Sequence, residues 1–564
     1  MILILLSWLY IYFTAIIFGI AFSKIMRLQQ FEFVLIPIYG LFSLTLVATV
    51  WAFLGPINLF FHLFLCIASL LLWYKNKETT SSFFKGTFNQ VKSFSFTVTI
   101  LFIISSLLIL AQSATLPFII DNESYYIQTI KWLNEYGFVK GLANLHLFLG
   151  QTSGWHITQS IYSFSFIYDR FNDLNGFCLL LLNFFAFQKL NNYFTEGNKI
   201  DLVFGLMPLS YVFLFQFISA PSPDLPVYVL AFIIFSVYLE KEHPENRFIT
   251  ISILALFSVF IKITAVILLL FPLLLILKHL LILKKQFLQV LFLGSFVLVL
   301  FISKNAVLTG YPLFPLLCFR IDAFDYTVPS SIIDYFFSKS MLHSFYIPYK
   351  LFDKMSAIEM IKYYFLSNGI SGYIGMASLF LILVTPIVII KKRLSKSFWA
   401  IYLAFVALII LLSLSSPQYR FFIYFSIFFM LVLFSMFISK PQIIIRLMAI
   451  NLVVIVIILT LPMSFENLTQ NKFLTDNNTF HFKNILIPEP NSKWNNEYKK
   501  TSIGNMHYHS PTDTSFFWVT GNGHLPCINS IQLDYFHNGF LYIPQQRSID
   551  LSHGFYSQKV SGNE

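Results

Sequence analysis

Apolar residues recur in blocks of about 15–22 along most of this chain, and polar residues gather in the gaps between them. The blocks fall at roughly 1–22, 33–54, 57–74, 96–116, 174–190, 199–219, 225–240, 248–262, 264–282, 287–304, 372–390, 398–415, 420–438 and 442–463. A block of that length matches the hydrocarbon thickness of a bilayer when it is helical, because only a helix pairs its own backbone groups there. The pattern predicts about 13–14 membrane helices in an all-α polytopic domain over 1–463. Three polar stretches interrupt it, at 117–173, 304–371 and 464–564. The last has mixed periodicity and predicts a small α+β or β-rich extracytoplasmic C-terminal domain.

Charge sets an expected orientation. Lys24 and Arg27, then Lys75 to Lys92, Lys189 and Lys199, Lys241 and Arg247, Lys278 to Lys285, Lys391 to Lys396, and Lys440 with Arg446 all fall on one side if the chain crosses at each block. Positive residues mark the cytoplasmic side of short loops. The three long polar stretches then face outward. Only 11% of the 564 residues are charged, and the net charge of +11 is spent in these loops. That excludes a large globular cytosolic enzyme and gives no reason to expect nucleic acid as a partner. Every inner loop is short and no GxxxxGK[ST] or GxGxxG pattern is present, which argues against an ATP-driven pump.

A few charges stand apart from that topological role. Asp121 and Glu123 leave the fourth block one residue apart. Such a pair offers a general base, or oxygen ligands for magnesium or manganese if a metal is used; no cofactor is otherwise indicated. The segment 127–136 has amphipathic helical spacing and is expected to lie on the outer membrane surface. Tyr125 follows the acidic pair, and Asn144, His146, Trp155 and His156 populate a glycine-punctuated loop suited to binding a sugar. Asp224 ends a turn with three prolines. Lys262 interrupts a long apolar stretch, where a cation is costly without an anion. Arg420 opens an outer helix end, poorly placed for the helix dipole. Tyr311, after Gly310, sits in a rigid re-entry into the interface.

These features resemble the GT-C superfamily of polytopic glycosyltransferases. In detail, 121–155 with Tyr125, Trp132, Gly141–His146 and Ser153, the proline turn before Asp224, Lys262, Thr309–Pro312 and Arg420–Phe422 are similar to an uncharacterised bacterial family of large multi-pass membrane proteins. The resemblance covers about 1–460. It implies inverting transfer from a polyprenyl-phosphate-linked sugar to a glycan or lipid acceptor, among membrane lipids, outside the bacterial plasma (inner) membrane. In that reading Asp121 is the general base and Glu123 supports it or helps hold a metal. Lys262 and Arg420 take the donor phosphate. Asp224 and His156 orient hydroxyls. Two rivals remain: a polymerase or ligase with a lipid-diphosphate donor that leans on Arg320 and Arg420, and a non-enzymatic transporter of a lipid-linked or anionic substrate.

Overall fold

The computed structural model describes residues 1–28, 33–168, 171–240, 243–344, 355–469, 473, 476–494 and 497–560; Lys241 lies outside them. Its first helices are α1 (Ile2–Ile25), α2 (Leu35–Ala52), α3 (Leu59–Lys75), α4 (Lys77–Lys92) and α5 (Phe96–Ser113). After α5 the chain makes short elements, including α6 (Ile127–Glu135) and α7 (Gly154–Ile161). It then resumes with α8 (Leu174–Glu196), α9 (Lys199–Gly205), the single turn α10 (Tyr211–Leu214), α11 (Asp224–Leu239), α12 (Pro244–Ile261) and α13 (Leu270–Thr309).

Among the described residues nine helical segments are long and apolar enough to cross a membrane, or ten if the bent pair α3–α4 counts as one, and the chain is a multi-pass helical membrane protein. The expected 13–14 helices include several that fall outside this length and composition. The helices Asp224–Leu239 and Ile423–Phe437 have 16 and 15 residues, about 24 Å at 1.5 Å per residue, less than the ~30 Å core. Both are largely buried among other helices. Another is α8, which carries Asn175, Asn183, Gln188, Lys189, Asn191 and Asn192 and is too polar to qualify. The run 263–309 counts as one helical segment of 47 residues although it holds two helices that meet at His279, as the two expected blocks require.

That segment would be about 70 Å long if straight. It is not straight. Ser153 Oγ donates to the Ile261 carbonyl at 2.6 Å, and Lys304 Nζ reaches the adjacent Thr152 carbonyl at 2.8 Å. Both ends therefore meet one short stretch of chain. The return is made at His279, whose φ −130° and ψ 34° leave the helical region. Gln289 on the returning arm touches the Ile25 carbonyl, at the far end of α1.

The bundle thus has two distinct ends. At one, Trp8 Nε1 donates to the Asp173 carbonyl, and α11 begins at Asp224. At the other, Lys24 bonds Asn76 and Thr79, and Lys189 pairs with Asp201 and Glu240. The segment 117–163 caps the first end and is mostly buried. The helix α6 is buried on both sides and does not lie on a surface. Gln128 donates to the Gly521 and Gly523 carbonyls, and Asn134 to those of Ile57 and Ser160.

The C-terminal region supplies the other half of that contact. It holds two antiparallel hairpins, β1 (Tyr498–Ile503) with β2 (Met506–Pro511), and β3 (Tyr542–Gln546) with β4 (Phe555–Lys559). A helix, Ser530–Phe540, lies between them. The Phe555 amide donates to the Lys140 carbonyl and Ser557 to Asn144, so the region is laced to the cap.

The tightest helix contact joins α1 and α2. A Cβ on Gly40 would stand 1.7 Å from the Ala15 carbonyl oxygen, and one on Gly19 2.0 Å from that of Ile36. Small residues four apart let helix backbones approach this closely. Gly40→Val is expected to force the pair apart and cost ~3 kcal/mol or more. A thermal-shift measurement in detergent would show it as a clear drop in melting temperature. Gly86→Ala, with no atom within 4 Å of the added carbon, is the control expected to leave the melt unchanged.

Candidate active site

Four charged residues from four separate parts of the chain converge where the short segments cap the bundle. Each is delivered by a break in regular structure. Asp121 precedes a single π-helical turn, Asn122–Tyr126, a device that re-aims side chains by one residue. Asp224 opens α11 after the proline turn, where its carboxylate suits a helix N-terminus. Lys262 is extended (φ −153°, ψ 120°) between α12 and the 3₁₀ turn Ile263–Leu269. Arg420 sits in the 3₁₀ turn Tyr419–Phe421 before Ile423–Phe437.

Their contacts form one relay. Arg420 Nη1 is 2.8 Å from Asp121 Oδ2 and 3.6 Å from Asp224 Oδ2. Lys262 Nζ bonds Asp224 Oδ1 and lies 4.1 Å from the centre of the Phe421 ring. Gln418 Oε1 accepts from Arg420 Nη2 at 2.7 Å, and Tyr228 donates to the Arg420 carbonyl at 2.6 Å. Asp224 is buried, at 1% side-chain exposure; Asp121, Lys262 and Arg420 keep 26%, 21% and 23%. The relay is thus open on one side and sealed on the other.

Asp121 is held by one oxygen. Its Oδ2 takes Arg420 and, at 3.4 Å, the Tyr126 hydroxyl. Its Oδ1 has no protein hydrogen bond among the described residues. The Tyr126 ring meets Tyr125 edge to face at 4.7 Å and lies 4.8 Å from His156. Tyr125 in turn stacks on Phe148. His156 is wholly buried, and burial first, with the Lys304 and Lys262 ammoniums adding to it, pushes its imidazole down to about 3. It is therefore neutral at physiological pH.

The other candidates do scaffold work. Glu123 does not join Asp121. Its Oε1 accepts from Asn122 Nδ2 and the Lys493 amide, and its Oε2 from Ser492 Oγ at 2.6 Å. Burial raises its pKa above the ordinary 4.5. Both oxygens are committed to protein donors, so the expected pairing with Asp121 for magnesium or manganese does not fit. No cluster of three or more potential metal ligands occurs among the described residues. Asn144 bonds the Gly141 and Tyr326 carbonyls and accepts from Ser557. His146 accepts from the Phe148 amide and lies 3.3 Å from the Trp518 carbonyl, with burial pushing it down to about 4. Trp155 is buried against Asn175, which itself pins the proline turn through the Phe217 and Ser222 carbonyls. Tyr311 donates to the Val328 carbonyl in a separate apolar cluster. Arg320 pairs with Asp322 in its own loop and does not meet Arg420.

Sequence reasoning passed over Tyr126, Phe421, Tyr228 and Lys304. The first three are aromatic residues in a chain with 68 Phe and 29 Tyr, where one more ring carries no signal. Lys304 did carry one: like Lys262, it is a lone cation at the end of an apolar run.

Glu123 offers a direct check on the scaffold assignment. Glu123→Ala strips the acceptor from Ser492 and from the Lys493 amide, and each charged-acceptor bond is worth about 1.5–3 kcal/mol. Hydrogen exchange at 491–494 is expected to accelerate at least about tenfold while the α1–α2 pair keeps its protection. Unchanged exchange there would contradict the clamp.

Comparison with known proteins places the chain in a family. No curated protein and no solved structure matches it. One family model does, a domain of unknown function, DUF8201, over residues 1–427, three quarters of the chain and all four residues of the relay. The chain belongs to the DUF8201 family.

Proposed function

We propose that this protein is a membrane glycosyltransferase that moves a sugar from a polyprenyl-phosphate donor to a glycan or lipid acceptor. Its site faces the extracytoplasmic side of the bacterial inner membrane in this reading. The observation that carries it is the relay: two carboxylates and two cations, from positions up to 299 residues apart, meeting at a partly open end of a membrane bundle. The resemblance to GT-C enzymes supports the choice of reaction, and the basic residues at the opposite end of the bundle support the orientation.

The chemistry follows from the free atoms. Asp121 Oδ1 takes the proton of an acceptor hydroxyl as that oxygen attacks the anomeric carbon. The bond from that carbon to the phosphate oxygen breaks on the opposite side, with inversion, and the lipid phosphate leaves with the electron pair. Lys262 and Arg420 already serve Asp224 and Asp121. An ammonium has three N–H groups and a guanidinium five, so both retain donors for a phosphate oxygen. Donors fixed before reaction stabilise developing charge without reorganising. Arg420 also orients the base, so one side chain couples proton removal to phosphate departure.

One feature favours a second reading. The helix is broken at Lys262, and transporters place broken helices at their binding sites. The two readings separate by experiment. Asp121→Asn keeps a hydrogen-bonding side chain beside Arg420 and removes the base. It is expected to lower transfer about 10²–10⁴-fold with little change in melting temperature. Lys262→Ala is expected to lower it as well, leaving Asp224 short of a partner. Mass spectrometry of surface glycans and lipid-linked sugars reads both. Unchanged glycans in both variants, with altered lipid flux, would replace the enzyme with the transporter.

A further inference from the structure

The relay is electrically closed, with two carboxylates against two cations. Beside it stands a third basic side chain without an anion. Lys304, on the returning arm of α13, is 2% exposed and donates only to neutral oxygens, the Thr152 carbonyl at 2.8 Å and Asn305 Oδ1 at 2.6 Å. Among the described residues no carboxylate lies within ion-pair distance of it. A buried ammonium is costly unless an opposite charge completes it.

The surroundings tie Lys304 to the site. Its acceptor, Thr152, is followed by Ser153, which caps α7 and bonds the Ile261 carbonyl, one residue before Lys262. The two ammonium-bearing segments are thereby laced to consecutive residues at the start of one helix, whose N-terminus adds its own partial positive charge. His156, in that first turn, accepts the Ser153 amide at Nδ1. A neutral ring whose Nδ1 accepts must carry its proton on Nε2. That Nε2–H is buried with no acceptor among the described residues. The ring lies 4.8 Å from Tyr126, whose hydroxyl reaches Asp121. A basic side chain with no anion, an unmatched N–H and a helix N-terminus lie together here, and Asp121, the carboxylate whose charge the ring feels, is already paired with Arg420.

We propose that Lys304 and His156 form the deep wall of an anion site continuous with the relay, and that its ligand is a phosphoryl group. The phosphate of the lipid donor is its natural occupant, a point that rests on the function proposed above; the anion site itself does not. Full-length protein in detergent tests it, with undecaprenyl phosphate, undecaprenol and inorganic phosphate as probes and native mass spectrometry and thermal shift as readouts. Wild type is expected to bind undecaprenyl phosphate at least tenfold more tightly than undecaprenol. Lys304→Met is expected to erase that preference. His156→Phe, which keeps the ammonium, is expected to weaken binding several-fold and carries the test if Lys304→Met does not fold.

Competition by inorganic phosphate would show that the headgroup alone suffices, and none would show that the lipid is required; either result supports the site. A preference for the phosphate that survives in both variants overturns it. So does a wild type that binds phosphate and alcohol alike, or a folded His156→Phe that binds as wild type does. Tight phosphate binding with no sugar transfer by wild type would leave this site standing and remove the glycosyltransferase reading.

Discussion

Everything at the capped end of this bundle depends on Arg420 holding two carboxylates at once. Asp224 is almost fully buried, and a lone buried carboxylate would be prohibitively unfavourable. Lys262 and Arg420 make its burial tolerable, and Arg420 then extends the chain of charge outward to Asp121. Four breaks in helical structure must be in register for this to happen. Removing one member of such a set leaves its partners uncompensated, which is more damaging than never having had the pair. The relay therefore constrains the bundle as much as the bundle positions the relay.

The scaffold around it is built from polar side chains that bond backbone rather than ligand. Asn175 and Asn172 hold the proline turn, and Gln128 and Glu123 bind the C-terminal region to the cap. In a membrane protein, irregular backbone needs such partners, because water does not supply them inside the bundle. The C-terminal loops at 492–493 and 520–523, which flank the first hairpin, thus pack behind the π-turn that follows Asp121. They share Glu123 and its neighbours with that turn, so the region distant in sequence is adjacent in chemistry.

Some of this was legible in the sequence and some was not, and particular residues show why. Lys262 and Asp224 announce themselves because a charge inside an apolar run has few inexpensive explanations. Asn144, His146, Trp155 and Tyr311 looked equally suggestive in a glycine-rich loop. A polar group that bonds a sugar and one that bonds a distant carbonyl have the same local sequence. Glu123 sits two residues from Asp121, yet the π-turn sends the two carboxylates to different partners, and that separation has no signature in spacing. Hydropathy registers apolar length, and the short, largely buried Ile423–Phe437 has the same composition as a helix that faces lipid.

By itself, then, the sequence determined that this is a helical multi-pass membrane protein, and it exposed the few charges too costly to be incidental. Both follow from transfer energies that each residue carries wherever it is placed. Tertiary structure decided which of those charges meet. It gave Asp121 to Arg420 and Glu123 to Ser492, folded the segment after Lys262 back at His279, and brought Lys304 beside His156. Pairing is a property of distance between residues hundreds of positions apart, and no local pattern encodes it.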